Sequence, residues 1–123
     1  MRKYSILFII LMILFSVISQ VDAQGKKPKI TFIELGSVNC IPCKKMQTVM
    51  KSIEKKYGDQ IKVIFIDVWK SENKAQSEKY GIKLIPTQIF QDENGKEIHR
   101  HEGYYPEKEI DKFLQSKGLK IIK

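Results

Sequence analysis

The hydrophobic positions of this chain alternate between short continuous runs and helical spacing, and their order implies a fold class. Lys29-Ile30-Thr31-Phe32-Ile33-Glu34-Leu35 is a near-continuous apolar, β-branched run, the pattern of a strand buried on both faces. Gly36 to Asn39 reads as a turn. From Cys40 to Tyr57 the apolar residues Met46, Val49, Met50, Ile53 and Tyr57 recur at helical spacing, and Gly58 closes that helix as a C-terminal cap. Ile61 to Val68 predicts a second buried strand. Ser71 is placed to cap a helix that runs to Tyr80 and ends at Gly81. Thr87 to Gln91 predicts a third strand, Asp92-Glu93-Asn94-Gly95 a hairpin turn, and Lys96 to Glu102 a charged fourth strand of the kind found at a sheet edge. Gly103 breaks that strand, and Pro106 opens a last helix with Ile110, Phe113 and Leu114 on its inner face. The order β-α-β-α-β-β-α implies parallel pairing through right-handed crossovers, with the hairpin adding an antiparallel edge. The expected architecture is an α/β three-layer sandwich: a four-stranded mixed sheet with helices on both faces. No internal repeat or interdomain linker is visible.

Upstream of this pattern lies a different one. Arg2 and Lys3 precede an apolar run from Ile6 to Ile18, broken only by Ser16, and Val21-Asp22-Ala23 follows with small or apolar residues at the two positions a signal peptidase reads. The run is shorter than the roughly 20 residues that span a bilayer. It reads as a cleavable export signal, residues 1–23, with an uncleaved N-terminal anchor as the alternative; no Cys follows to carry a lipid. Residues 24–28 form a polar leader and 29–123 the domain. The expected location is therefore periplasmic or secreted, a setting that permits disulfides.

Composition narrows the partners. The 123 residues carry 22 Lys+Arg against 14 Asp+Glu, a formal net charge of +8, and are 42% hydrophobic. Setting aside Arg2, Lys3 and Asp22 leaves 20 basic and 13 acidic side chains in the remainder. Lysines are spread along the whole chain, without an Arg-rich block or a basic stripe interleaved with aromatics. That is the pattern of a solvated surface, with an anionic membrane or an acidic partner as the other reading, and no nucleic acid is expected. Two cysteines exclude a multi-bridge scaffold, and they cannot make a four-ligand zinc site alone.

Those two cysteines carry the chemistry. Cys40-Ile41-Pro42-Cys43 stands at the end of a buried strand and the start of a helix. Free backbone N–H groups at a helix N-terminus stabilise an anion, so a thiolate there is favoured, and the thiolate is the attacking species in disulfide exchange. The first Cys falls at the exposed tip and the second a turn inward, where it is shielded. Pro42 suits a first helical turn, which needs no N–H partner. A purely stabilising disulfide is the alternative, but so short a loop removes little unfolded-state entropy. Haem attachment needs a His after the second Cys, and Lys44 stands there.

With strand, CxxC and helix in this order, the chain resembles the thioredoxin family over nearly all of 29–118. Cys40-Ile41-Pro42-Cys43-Lys44 resembles that family's active-site motif, with Ile in place of the usual Gly. Tyr80-Gly81-Ile82-Lys83-Leu84-Ile85-Pro86-Thr87 resembles its cis-proline segment. The resemblance implies that Pro86 is cis and packs against the CxxC, and that Ile85 and Thr87 beside it pair with a substrate backbone as a short added strand. It also implies that Gly103 lets a partner backbone come close. Glu34 lies six residues before Cys40, where the family places a buried acid that takes and gives the proton of the second Cys. A buried carboxyl has a raised pKa suited to that work. The other reading is a Glu that reaches solvent at the strand's end.

Three departures stand out. Gly36-Ser37-Val38-Asn39 replaces the family's Trp before the active site. Val63-Ile64-Phe65-Ile66 lacks the Lys that often lies near the buried acid. And the stretch before Cys40 is too short for the N-terminal strand and helix of full thioredoxins.

The expected function is an exported thiol–disulfide oxidoreductase with Cys40 as nucleophile, Cys43 as resolving thiol and Glu34 as proton carrier. It needs no cofactor or metal and works as a monomer. The resemblance of Ile85 and Pro42 to reducing members implies a reductase of disulfide-containing exported proteins, recharged by a membrane thiol-transfer protein, with cytochrome-maturation cysteines as one possible substrate. The alternatives are an oxidase or isomerase of exported proteins, or a Cu(I) carrier using both thiolates assisted by His99 or His101. Those histidines alternate on one face of the edge strand, as in a two-ligand metal site or a solubilising edge. Trp69 reads as a partner contact or a packed lid, and Tyr104-Tyr105 falls near the expected groove rim.

Overall fold

A computed structural model of the chain describes residues 25–122. The readings of residues 1–23 as an export signal or anchor lie outside the described residues. Seven elements follow in the expected order: β1 (Ile30–Gly36), α1 (Ile41–Tyr57), β2 (Ile61–Asp67), α2 (Lys74–Tyr80), β3 (Thr87–Asp92), β4 (Glu97–Glu102) and α3 (Glu107–Ser116). The four strands form one sheet in the order β2-β1-β3-β4. β1 runs parallel to β2 and antiparallel to β3, and β3 is antiparallel to β4. This is the mixed, four-stranded α/β sandwich that the pattern implies. Among the described residues no strand or helix precedes β1.

Strand alternation divides the side chains between two layers. Ile30 and Phe32 of β1, with Ile61, Val63 and Phe65 of β2 and Phe90 of β3, pack under Met46, Val49, Met50, Ile53 and Tyr57 of α1 and Ile110 and Leu114 of α3. The Phe32 and Phe90 rings stack with centroids 4.7 Å apart. The opposite face carries Ile33, Leu35, Ile66 and Ile89, against which Ile64, Val68, Tyr80 and Ile82 pack. The two helices of the larger layer are also tied by charge: Lys56 of α1 pairs with Glu107 and Asp111 of α3, and Tyr57 donates its hydroxyl to Asp111 at 2.9 Å.

Three local expectations are corrected. β2 is an edge strand, not a buried one. With only β1 beside it, Lys62 is exposed and Val63, Ile64 and Phe65 are half-buried. Ser71 does not cap a helix that begins there. Ser71–Asn73 is a single 3₁₀ turn, and α2 starts behind Asn73 without a side-chain cap. The β4 histidines do not form a solubilising edge, because α3 and Tyr105 cover the inner face of that strand. His99 stacks on Phe113 with centroids 4.6 Å apart, and His101 on Tyr105 at 4.0 Å. The helix ends at Gly58 and Gly81 fall as expected, and the Asp92–Gly95 turn closes with Asp92 Oδ1 accepting from the Asn94 and Lys96 amides.

Candidate active site

The site is built where β1, β2 and β3 come to a common end. Register places Gly36 opposite Asp67, Leu35 opposite Thr87, and Thr87 opposite Glu102. The loops leaving β1 and β2, the loop entering β3 and the loop leaving β4 therefore meet at one pole of the sheet.

α1 begins at this pole. Cys40 is its N-cap in extended conformation, and Pro42 lies in the first helical turn, where a missing N–H leaves no bond unmade. Cys40 Sγ accepts from the Cys43 amide at 3.4 Å, so the sulfur already sits on an N-terminal N–H of the helix. No acidic residue occupies the first turn. The arrangement favours negative charge on Cys40 once the disulfide is opened. Cys40 and Cys43 form that disulfide, with Cα atoms 5.1 Å apart. Cys40 is half-buried and Cys43 is wholly buried. Cys43 is packed against the backbone of Gly36: a Cβ built on Gly36 would stand 3.1 Å from Cys43 Sγ. In the sequence Gly36 reads only as a turn residue. Its small size is what lets the helix start seat itself on the end of β1.

The Ile85–Pro86 bond is cis, and Pro86 is buried. Its loop is held from both sides. Thr87 Oγ1 donates to Leu84 O at 2.7 Å, and the Gly103 amide donates to Pro86 O at 2.7 Å. Gly103 has φ +88, a backbone that side chains with a Cβ rarely adopt. Thr87 is fully buried, while Ile85 is half-buried and Leu84 is exposed. Around this pole Val38, Ile41, Trp69, Leu84 and Tyr104 all present apolar surface to solvent. Trp69 is 62% exposed and is no packed lid, and Tyr105 turns inward where its neighbour Tyr104 turns out.

Glu34 shares the face of Phe32, two residues before Gly36. It is wholly buried, so its side chain does not reach solvent. Burial pushes its carboxyl up to about 8 from the usual 4.5, against the opposing pull of a hydrogen bond from Gln88. Gln88 Nε2 donates to Glu34 Oε1 at 3.3 Å. The other oxygen, Oε2, is buried with no hydrogen-bond partner among the described residues, and is the atom left to carry a proton. The sequence signal for Gln88 is an amide inside the apolar run Ile-Pro-Thr-Gln-Ile-Phe, and the sheet buries that position completely.

His99 and His101 do not join the cysteines. His99 Nε2 lies 3.0 Å from the Tyr105 hydroxyl, and His101 Nδ1 lies 2.9 Å from Gln88 Oε1. Among the described residues no three His, Cys, Asp or Glu side chains are grouped to hold a metal ion.

A four-stranded mixed sheet, a CxxC disulfide at the N-terminus of the first helix and a cis-proline loop held at the same pole define a thioredoxin-like protein. The chain belongs to the thioredoxin-like domain family, whose family model matches residues 14–118. It is 30% identical over 109 residues to thioredoxin Y, a chloroplastic protein of Oryza sativa subsp. japonica, a match spanning 89% of this chain and 61% of that one. It is 29% identical over 75 residues to the thioredoxin of Bacillus subtilis, covering 61% of this chain and 69% of that one. Among solved structures it is similar to the germline-specific thioredoxin Deadhead of Drosophila melanogaster, with TM-score 0.62, 27% identity, and 72% and 80% of the two chains covered. This chain thus spans less than two thirds of the rice relative's length.

Proposed function

We propose that the protein is an exported thiol–disulfide oxidoreductase that reduces protein disulfides through Cys40 and Cys43. The observation that carries this reading is the asymmetry of the pair: a half-exposed sulfur on the N-terminal amides of α1, bonded to a wholly buried one. In the reduced protein the Cys40 thiolate attacks a sulfur of the substrate disulfide. One substrate thiolate leaves, and a mixed disulfide joins Cys40 to the substrate. Cys43 then loses its proton to Glu34 and attacks Cys40 Sγ, releasing the second substrate thiolate and restoring the Cys40–Cys43 bond. Both electrons pass from the protein to the substrate.

The exposed apolar rim of Val38, Ile41, Trp69, Leu84 and Tyr104 supports docking of an extended apolar segment around the disulfide. Ile85, ahead of β3, offers backbone for it to pair with, Thr87 anchors that loop, and Gly103 clears the opposite side. Export rests on the Ile6–Ile18 run and Val21-Asp22-Ala23; a membrane thiol-transfer protein would then return the electrons. In the reading, the protein acts as a monomer without a cofactor.

The test is reduction of a small disulfide-bonded protein such as insulin by the dithiol form. Cys40→Ser abolishes turnover, and Cys43→Ser accumulates a mixed disulfide. In the reduced protein, iodoacetamide labels Cys40 first; preferential labelling of Cys43 would reverse the assignment. A reduction potential near about −270 mV fits a reductase, and one near about −120 mV replaces it with an oxidase.

A further inference from the structure

Glu34, Gln88 and His101 form one row across three strands. Glu34 of β1 is in register with Gln88 of β3, and Gln88 with His101 of β4. All three side chains lie on the α1 face. The row is hydrogen-bonded end to end: Gln88 Nε2 donates to Glu34 Oε1 at 3.3 Å, and Gln88 Oε1 lies 2.9 Å from His101 Nδ1. With the Gln88 oxygen turned toward it, His101 Nδ1 is the donor of this bond, because an amide oxygen only accepts. The ring is held flat on Tyr105, 10° from parallel. Gln88 is wholly buried and His101 is half-exposed, so the row begins at the buried carboxyl and ends where water reaches.

The polarity of this row matters. A terminal amide can turn over and present either its oxygen or its nitrogen to a neighbour. With oxygen toward Glu34 it would repel an ionised carboxylate. The Nδ1–H of His101 holds the oxygen on the other side and so holds the N–H donor toward Glu34. We infer that His101 is a positioning residue for Glu34: by fixing the orientation of the Gln88 amide it maintains the hydrogen bond that stabilises the ionised carboxylate, and so sets the pH at which Glu34 exchanges its proton. Its catalytic consequence rests on the proposed role of Glu34 in resolving the mixed disulfide; the positioning itself does not.

Few other groups bear on the row. From β2 the register partner of Glu34 is Phe65, and one step further along that face Asp67 accepts from the Trp69 amide. The buried residues of α1 nearest this pole, Cys43 and Met46, carry no charge. Around His101 stand Tyr105 and, two places along β4, His99, which burial and the charges of His101 and Lys117 keep below the usual histidine range. No cation among these faces Glu34, and the Gln88 amide is the donor its carboxylate has.

The experiment follows the Glu34 carboxyl by ¹³C NMR in the oxidised full-length protein, where neither cysteine titrates. His101→Phe keeps an aromatic ring on Tyr105 but cannot donate, and moves the Glu34 midpoint upward by about one pH unit. His101→Asn places an amide N–H near the position of Nδ1 and restores most of that difference. Gln88→Met raises the midpoint at least as far, and adding His101→Phe to it raises the midpoint no further, because both changes remove one bond. If His101→Phe leaves the Glu34 midpoint where it is, or if its effect adds in full to that of Gln88→Met, the inference is overturned. The pH profile of mixed-disulfide resolution is measured on the same variants. A midpoint that moves without moving that profile upholds the positioning of Glu34 and refutes its part in the proposed reaction.

Discussion

Replacing Glu34 with Gln keeps the shape of the side chain and removes a wholly buried carboxyl from the site. The unfolded chain ionises at this position near 4.5 and the folded protein near about 8. Between those values the native state holds a proton that the unfolded state has released, so native stability falls as pH rises. The loss is about 1.4 kcal/mol for each pH unit. Across the three and a half units that separate 4.5 from about 8 it reaches about 5 kcal/mol. Below 4.5 both states are protonated and nothing is lost; above 8 both are ionised and the loss is constant. Small domains are stable by about 5–15 kcal/mol, so one carboxyl takes a large share of the total in alkaline solution. Chemical denaturation of the oxidised protein at steps from pH 4 to pH 9 measures it, with the slope against denaturant checked for constancy. Wild type and Glu34→Gln should be nearly equal at pH 4 and diverge steadily, with the variant about 5 kcal/mol more stable at pH 9. All other titrating groups cancel in the difference. If the two stability curves run parallel from pH 5 to pH 9, Glu34 ionises in the folded protein as it does in water, and the desolvation argument fails.

Gly36→Ala should lower the midpoint of thermal unfolding, because its Cβ would stand 3.1 Å from Cys43 Sγ and 3.2 Å from Cys43 Cβ. Overpacking of this kind costs about 1–3 kcal/mol, and a melt as stable as wild type would show that the start of α1 yields freely. Lys56→Met should destabilise the protein at pH 7 by about 1 kcal/mol, since it leaves Glu107 and Asp111 without their shared partner on a partly exposed face. Glu107 is held below the usual carboxylate range by the Lys56 and Ser52 hydrogen bonds, so its contribution is present at neutral pH and lost as pH falls through its folded value. Denaturation of both proteins at pH 7 and in acid should therefore show the difference shrinking in acid.

The sequence determined what depends on neighbours along the chain. Helical spacing placed α1 and α3, glycines at Gly58 and Gly81 ended helices, and Asp92–Gly95 marked the hairpin. Cys40 and Cys43 were legible because a helix start is a local event, and its amides act on whatever residue caps it. The tertiary structure decided what depends on which strand lies beside which. β1 is apolar on both faces, so its alternation is silent, and only the sheet shows that Glu34 lies under α1 with Phe32 and not at a wet end. β2 reads as a buried strand from composition, yet the order β2-β1-β3-β4 leaves it at the edge. His99 and His101 sit in a charged strand that suggests solvent, but α3 and Tyr105 close over its inner face. The row Glu34-Gln88-His101 joins residues 54 and then 13 positions apart through pairing register. No local pattern encodes that register, because it is fixed only when the buried faces of three strands are satisfied together.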